Sequence, residues 1–272
     1  VALIELMDVH FSYRPGSELL KGCSLSVSGG EVVALAGPNG SGKSTLLRLS
    51  AGVLVPREGE ILLDGHPILG WDRVERAKRL AYVPQKSRVP EEWRVHEIAA
   101  LGDYPYQQSP PARKFLGKRL REVREALSLE TVWNRRLKTL SGGEAQRASL
   151  ARAFVQDTGS MVLDEPAAHL DLSYQMAVYR IFSELAAGGR SILIATHDVN
   201  LSRLFGQRLV ILNGDGVVKP FPEDRVSQGE LLEEAFGLPF VSRELTGVDC
   251  WFPDPSPFNK KMTDKKSVLK KD

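Results

Sequence analysis

A few short stretches carry the residue types that phosphate chemistry needs. Residues 37–45 read GPNGSGKST and satisfy G-x-x-x-x-G-K-[ST] through Gly37, Gly42, Lys43 and Ser44, with Pro38, Asn39, Gly40 and Ser41 between them and Thr45 following. Glycines let a backbone close around phosphate oxygens, so the N–H groups of 40–45 can converge inward. A helix beginning there adds its partially positive end. Lys43 can then reach the β- and γ-phosphates, Ser44 Oγ can ligate magnesium, and Thr45 can hold the α-phosphate region. In SMVLDEP, Asp164 and Glu165 are adjacent at the end of an apolar run, so their side chains leave in different directions. Asp164 suits magnesium held through a water beside Ser44, and Glu165 suits orienting and deprotonating an attacking water. One strand later, SILIATHD places His197 where it could contact the γ-phosphate or fix Glu165. Gln85, after LAYVP, is an amide that can touch the metal or the water and still withdraw, since its bonds are individually weak.

A different question is raised by LSGGE, residues 140–144. Ser141 is a plausible helix N-cap, and two glycines follow it. Each glycine costs about 0.8–1 kcal/mol against Ala inside a helix. A bare backbone at a helix mouth therefore needs something that approaches it.

A phosphate loop alone does not separate ATP from GTP. The sequence has no Asn-Lys-x-Asp stretch to read guanine. FSYRPG supplies Phe11 and Tyr13 before the loop; Tyr13 could stack on a base or serve as an ordinary core or surface aromatic.

The elements that must position these residues are legible in outline. LIELMDVHFSY and LLKGCSLSVSGG read as strands, EVVALAG as a buried strand into the loop, and LLRLSAGVL as the helix after it. GEILLDGHPI reads as a short hairpin with turns at Gly59 and Asp64-Gly65. A helix over 72–79 precedes the strand LAYVPQ. From Glu91, three helical patterns follow without strands, around a Pro- and Gln-rich loop, DYPYQQSPPARK. Strands return at SMVLDEP, SILIATHD and RLVILNGDGVV, with helices at 173–187, 199–205 and GELLEEAFG. Residues 238–259 are Pro-rich and have no evident assignment. The pattern is an α/β core with a helical insertion.

Bulk properties narrow the class. The chain has 272 residues, 42% of them hydrophobic, and a net charge of +2 from 36 basic and 34 acidic residues. That balance gives no footprint for nucleic acid. Cys23 and Cys250 form no CxxC pair and suggest neither zinc nor redox chemistry. VALIELMDVH is too short and acidic for a signal peptide, and no run of 18 apolar residues spans a bilayer. The basic tail from Lys260 is expected to be disordered.

Taken in order, these motifs resemble the nucleotide-binding subunit of an ABC transporter over roughly residues 3–240. The resemblance implies a P-loop NTPase fold of the ABC ATPase type, with ATP and Mg2+ bound. A single domain over 1–259 would hold a RecA-like core and an antiparallel β subdomain (about 1–87 and 159–240) and a helical subdomain (about 88–158), followed by a disordered tail at 260–272. It further implies that Tyr13 is the family's aromatic before the P-loop, Gln85 its glutamine loop, AHLD (168–171, ending in Asp171) its D-loop, His197 its switch histidine, and Ser141, Gly142, Gly143 and Glu144 its signature. In this family two chains pack head to tail, the P-loop of one facing the signature of the other. Glu144 stands where Gln is commonest, and Ala168-His169 where Ser-Ala is frequent. LGDYPY, EPAAHLDLSYQ and ELLEEAFGLPF are similar to importer ATPases for iron-siderophores, cobalamin and haem. That likeness implies a second ATPase subunit as homodimer partner, a permease dimer, indirectly a substrate-binding protein, and a peripheral place on the cytoplasmic face of the inner membrane. A coupling helix would enter near Gln85 and residues 88–106, with Trp93 and Tyr104 as candidate contacts. A zinc, manganese or other small-solute transporter is the alternative. A soluble repair or ribosome-acting ATPase fits less well, since neither a long coiled-coil insertion nor a second P-loop is present.

Overall fold

The computed structural model describes residues 2–85, 90–107, 115–245 and 247–256. Strands β1 (Ala2–Phe11) and β2 (Leu20–Ser28) pair antiparallel, and β3 (Val32–Ala36) crosses into a second sheet. The phosphate loop leads to helix α1 (Lys43–Ser50), after which β4 (Glu58–Leu63) and β5 (His66–Pro67) complete the first sheet in the order β2-β1-β4-β5. Helix α2 (Arg73–Arg79), capped by Asp72 through the N–H groups of Val74 and Glu75, feeds strand β6 (Leu80–Val83). Then come α3 (Val95–Ala100), α4 (Leu116–Ala126) and α5 (Gly142–Gln156) with no strand between them. The chain returns through β7 (Ser160–Asp164), α6 (Leu172–Ala187), β8 (Ser191–Ala195), α7 (Val199–Leu204), β9 (Arg208–Leu212), β10 (Val218–Pro220) and α8 (Arg225–Phe236).

Among the described residues the second sheet has the order β10-β9-β3-β8-β7-β6. Its strands are parallel except for β10 at the edge. Every residue of β3, β7 and β8 is buried, as expected for parallel strands covered on both faces. Alternation then divides them between two cores. Val33, Leu35, Val162 and Leu193 pack with α1 and the antiparallel sheet, whereas Ala34, Ala36, Leu163 and Ile194 pack toward α5 and α6. Because β3, β6, β7 and β8 run the same way, their carboxyl ends meet at one edge, where α/β sheets gather ligands. The phosphate loop, Gln85, the Asp164-Glu165 pair and His197 all follow those ends.

The structure departs from the sequence expectations in four places. Gly59 lies inside β4 rather than in a turn, at φ 84°, where the register with β1 shifts between Met7 and His10. Leu101–Tyr106, expected to end in loop, is a short 3-10 helix, and the remainder of the Pro- and Gln-rich bridge at 108–114 lies outside the described residues. Helix α8 begins at Arg225, earlier than its apolar run indicates. Residues 240–253 form a hairpin of β11 (Phe240–Leu245) and β12 (Val248–Pro253). That hairpin docks on α7 and α8: Trp251 is buried, its indole N–H donates to Gln228 Oε1 at 3.0 Å, and the Asn200 amide grips the Trp251 backbone at 2.7 and 3.0 Å. The tail at 260–272 lies outside the described residues. No helix among the described residues is long and apolar enough to cross a membrane.

Candidate active site

The phosphate loop is shaped by close approaches that exclude side chains. A Cβ on Gly37, at φ 151°, would run into the Leu212 carbonyl at the end of neighbouring β9. Gly42, at φ 106°, caps α1 where a Cβ would press on Leu20 at 3.0 Å. Lys43 folds over the loop, its Nζ donating to the Gly37 and Pro38 carbonyls at 2.7 and 2.9 Å. Burial pushes its ammonium below the usual lysine range, while Glu165 and Asp164 pull it back up. A buried cation over carbonyls that an anion can replace is poised to transfer its bonds to phosphate. Tyr13 is 57% exposed, stands edge-on to buried Phe11 at 4.9 Å, and shares a 3.1 Å hydrogen bond with Thr45 Oγ1. Its ring is thus tethered beside the loop with a face available.

The adjacent acids separate as their positions demand. Asp164 is 1% exposed, and neither carboxylate oxygen has a hydrogen-bond partner among the described residues. Burial pushes its carboxyl above the usual range, with Ser44 drawing it partway back. Two buried, orphaned oxygens beside a serine hydroxyl fit a hydrated divalent cation. Glu165 turns out at φ 51°, a conformation costing a non-glycine residue about 1–2 kcal/mol. The Glu165 N–H donates to the Ala195 carbonyl at 3.1 Å, which holds the turn. The carboxylate is then engaged on both oxygens: Gln85 Nε2 donates to Oε2 at 2.7 Å, and His197 Nε2 meets Oε1. The His197 turn is braced from below, Thr196 Oγ1 bonding buried Tyr179 at 2.9 Å and accepting the Asp198 N–H at 3.0 Å. One cleft is lined by Asn39, Gly40 and Lys43 to Thr45 on one side and by Gln85 and Glu165 on the other.

LSGGE lies elsewhere. Ser141 caps α5 in a reciprocal box: Glu144 N–H donates to Ser141 Oγ at 3.3 Å, and Ser141 N–H donates to Glu144 Oε2 at 2.7 Å. The serine proton and the N–H groups of Gly142 and Gly143 are left at the helix mouth. A Cβ on Gly143 would lie 3.1 Å from the His169 carbonyl, so this glycine also lets the 168–171 turn pack closely. Asp171 is brought to this groove and not to the phosphate cleft. It caps α6, accepting from Tyr174 N–H at 3.0 Å and Ser173 Oγ at 2.8 Å. The groove runs from Ser141 to Glu144 and on to His169, Asp171 and Tyr174, and shares no lining residue with the phosphate cleft.

Two residues that the motifs did not single out brace α5, the helix that LSGGE opens. Gln146 Nε2 donates to the Pro166 carbonyl at 3.1 Å, tying α5 to the turn after Glu165. Arg147, buried, donates to the Leu127 and Ser128 carbonyls and lies over the Tyr174 ring at 4.0 Å. Farther along α5, Arg152 donates to the Tyr82 carbonyl and Gln156 to those of Ala77 and Leu80, which anchors the helix to β6 just before Gln85.

Comparison with known proteins gives the family and the fold. Residues 20–168 match the family model described as ABC transporter. A hemin import ATP-binding protein of Nocardia farcinica is 34% identical over 88% of this chain and 83% of its own. A petrobactin import ATP-binding protein of Bacillus subtilis is 29% identical over 87% of this chain and 93% of its own. Among solved structures, a dimeric bacterial ABC transporter cassette superposes with a TM-score of 0.71 at 28% identity, covering 81% of this chain and all of that one (100%). A chain of an inward-facing ABC transporter of the metal-chelate type, 23% identical, superposes with a TM-score of 0.76 over 94% of this chain and 99% of its own, a likeness of fold.

Proposed function

The chain belongs to the ABC transporter family and is an ATPase of that type, and from this premise we propose that it drives import of a metal chelate, with haem as the favoured cargo. Relatives named for hemin import support that cargo at 34–36% identity, and the petrobactin relative makes an iron-siderophore the second reading. We place two copies head to tail at the cytoplasmic face of a membrane, against a permease dimer served by a substrate-binding protein. Trp93 and Tyr104, at 36% and 64% exposed, lie in the helical stretch between β6 and β7 and are the candidate permease contacts.

The proposed chemistry follows from the cleft. The loop N–H groups and Lys43 bind the nucleotide's phosphates, and Tyr13 stacks on adenine. Ser44, Asp164 through water, and Gln85 would hold Mg2+, which would supply charge neutralisation at the nucleotide's phosphates. Glu165 takes the proton of the attacking water, while His197 orients it from one side. Gln85 holds the other oxygen and must let go for that oxygen to reach water. Ser141, Gly142 and Gly143 of the second copy close over the terminal phosphate with N–H donors and a helix N-terminus. Hydrolysis removes the phosphate that joined the two chains, and the dimer opens.

The observation that carries this reading is that, among the described residues, one chain presents a cleft with base and cradle but no roof, and a separate groove with the donors of a roof. Cells lacking the chain should lose uptake of labelled haem and retain uptake of an unrelated amino acid. Intact haem uptake with a lost ferric-siderophore uptake would move the cargo to the second reading; neither lost would remove import of both.

A further inference from the structure

Glu144 puts a carboxylate in the first turn of a helix whose mouth, on the reading above, meets a terminal phosphate. An anion there opposes the ligand that the bare N–H groups attract. The carboxyl is held below the usual carboxylate range, first by the Ser141 N–H, so the charge is present at neutral pH. The structure disposes of it locally. Oε2 folds back onto the Ser141 N–H at 2.7 Å, and Oε1 faces Arg135 Nη1 at 3.7 Å. The side chains are 46% and 23% exposed, Arg135 first, so salt can screen the pair.

Arg135 is carried there by backbone pairing, not by chance contact. Val95 N–H donates to the Arg135 carbonyl at 3.1 Å, Leu137 N–H to that of Trp93 at 2.8 Å, and Lys138 N–H to that of Glu91 at 3.0 Å. Its guanidinium also donates to the Thr139 carbonyl, the residue before Leu140. Arg147, the other cation acting on Glu144, is committed to two carbonyls and the Tyr174 ring.

We propose that Arg135 is a positioning residue for the shared ATP site: it balances the Glu144 carboxylate so that the signature helix can accept the terminal phosphate held by a second copy. Arg135 touches no phosphate and acts through Glu144. A neutral glutamine at 144 would not need it, so the two side chains should behave as one unit.

The inference rests on the split-site reading, and a double-mutant cycle separates the two. Glu165→Gln serves as parent, to stall hydrolysis, and ATP-driven dimerisation is followed by sedimentation. Arg135→Gln should raise the ATP concentration for half-dimerisation about three- to tenfold at low salt. The same change made together with Glu144→Gln should add little. Near 1 M salt, where the Debye length is about 3 Å, the Arg135→Gln penalty should shrink. An equal penalty with and without Glu144→Gln, or one indifferent to salt, overturns the charge-balancing role while leaving the shared site standing. A parent that stays monomeric with ATP overturns the shared site and this inference with it.

Discussion

The phosphate cleft and the signature groove are built on opposite principles. The cleft is rooted in fully buried parallel strands. Gly37 and Gly42 of its loop sit where a side chain would strike Leu212 and Leu20, and its acid Asp164 is nearly inaccessible. The groove is local and superficial: Ser141 and Glu144 cap each other, Asp171 caps α6, and only Gly143 is pressed, against the 168–171 turn. The cleft can therefore hold charges in place before any ligand arrives, which is what transition-state stabilisation needs. The groove offers donors with nothing of its own to receive them. Gly143 is explained within the chain by the close 168–171 turn, whereas a Cβ on Gly142 would meet only the His169 Cβ at 3.8 Å, so the proposal of a second copy bears most on Gly142 and the Ser141 hydroxyl.

Substitutions can break that contrast or sharpen it. The largest effect belongs to Glu165→Gln, which keeps the shape and both neighbours but removes the base. Hydrolysis should fall on the order of 10²–10⁴-fold while ATP-bound dimer accumulates, as seen by phosphate release and sedimentation together. Normal turnover would strip Glu165 of its role. Ser141→Arg should abolish ATP-driven dimerisation while a fluorescent ATP analogue still binds the isolated chain; unimpaired closure would erase the distinction between the two regions. Lys43→Ala acts on the other side. Losing a charge-assisted contact worth about 1.5–3 kcal/mol should weaken single-chain ATP binding roughly ten- to a hundredfold, measurable by titration calorimetry. The smallest effect lies outside both regions. Asn200→Ala removes two hydrogen bonds to the Trp251 backbone and should lower the melting temperature by a few degrees, about 1 kcal/mol or somewhat more, with ATP affinity unmoved.

The same contrast explains what could be read in the chain before folding. Phosphate binding and water activation demand particular residue types at fixed spacing, so Gly37 to Thr45, Asp164, Glu165 and His197 announce themselves, and the apolar strands that carry them are short and unbroken. Gln146 and Arg147 carry no such mark. A polar residue on a helix could face anything, and only the packing of α5 against the 165–167 turn, α6 and the residues after α4 gives these two their partners. The pairing of Arg135 with Glu144 spans a turn and needs the 91–96 segment to aim it. The hairpin at 240–253 is hidden because Pro239 and Pro255 flank it, Pro253 ends its second strand, and its few buried residues are those that meet two helices. Asp171 shows the reverse: its motif position is clear, yet its carboxylate is occupied as a helix cap.

The central claim is that the cleft of one chain is finished by the groove of another. Mixing Lys43→Ala with Ser141→Arg tests it most directly. Each variant alone should be inactive. In a mixed dimer, the intact cleft of the Ser141→Arg chain meets the intact groove of the Lys43→Ala chain, so ATP hydrolysis should return on mixing and scale with the fraction of mixed dimers. If the mixture stays as inactive as its components although mixed dimers form, each site is complete within a single chain and the account is wrong.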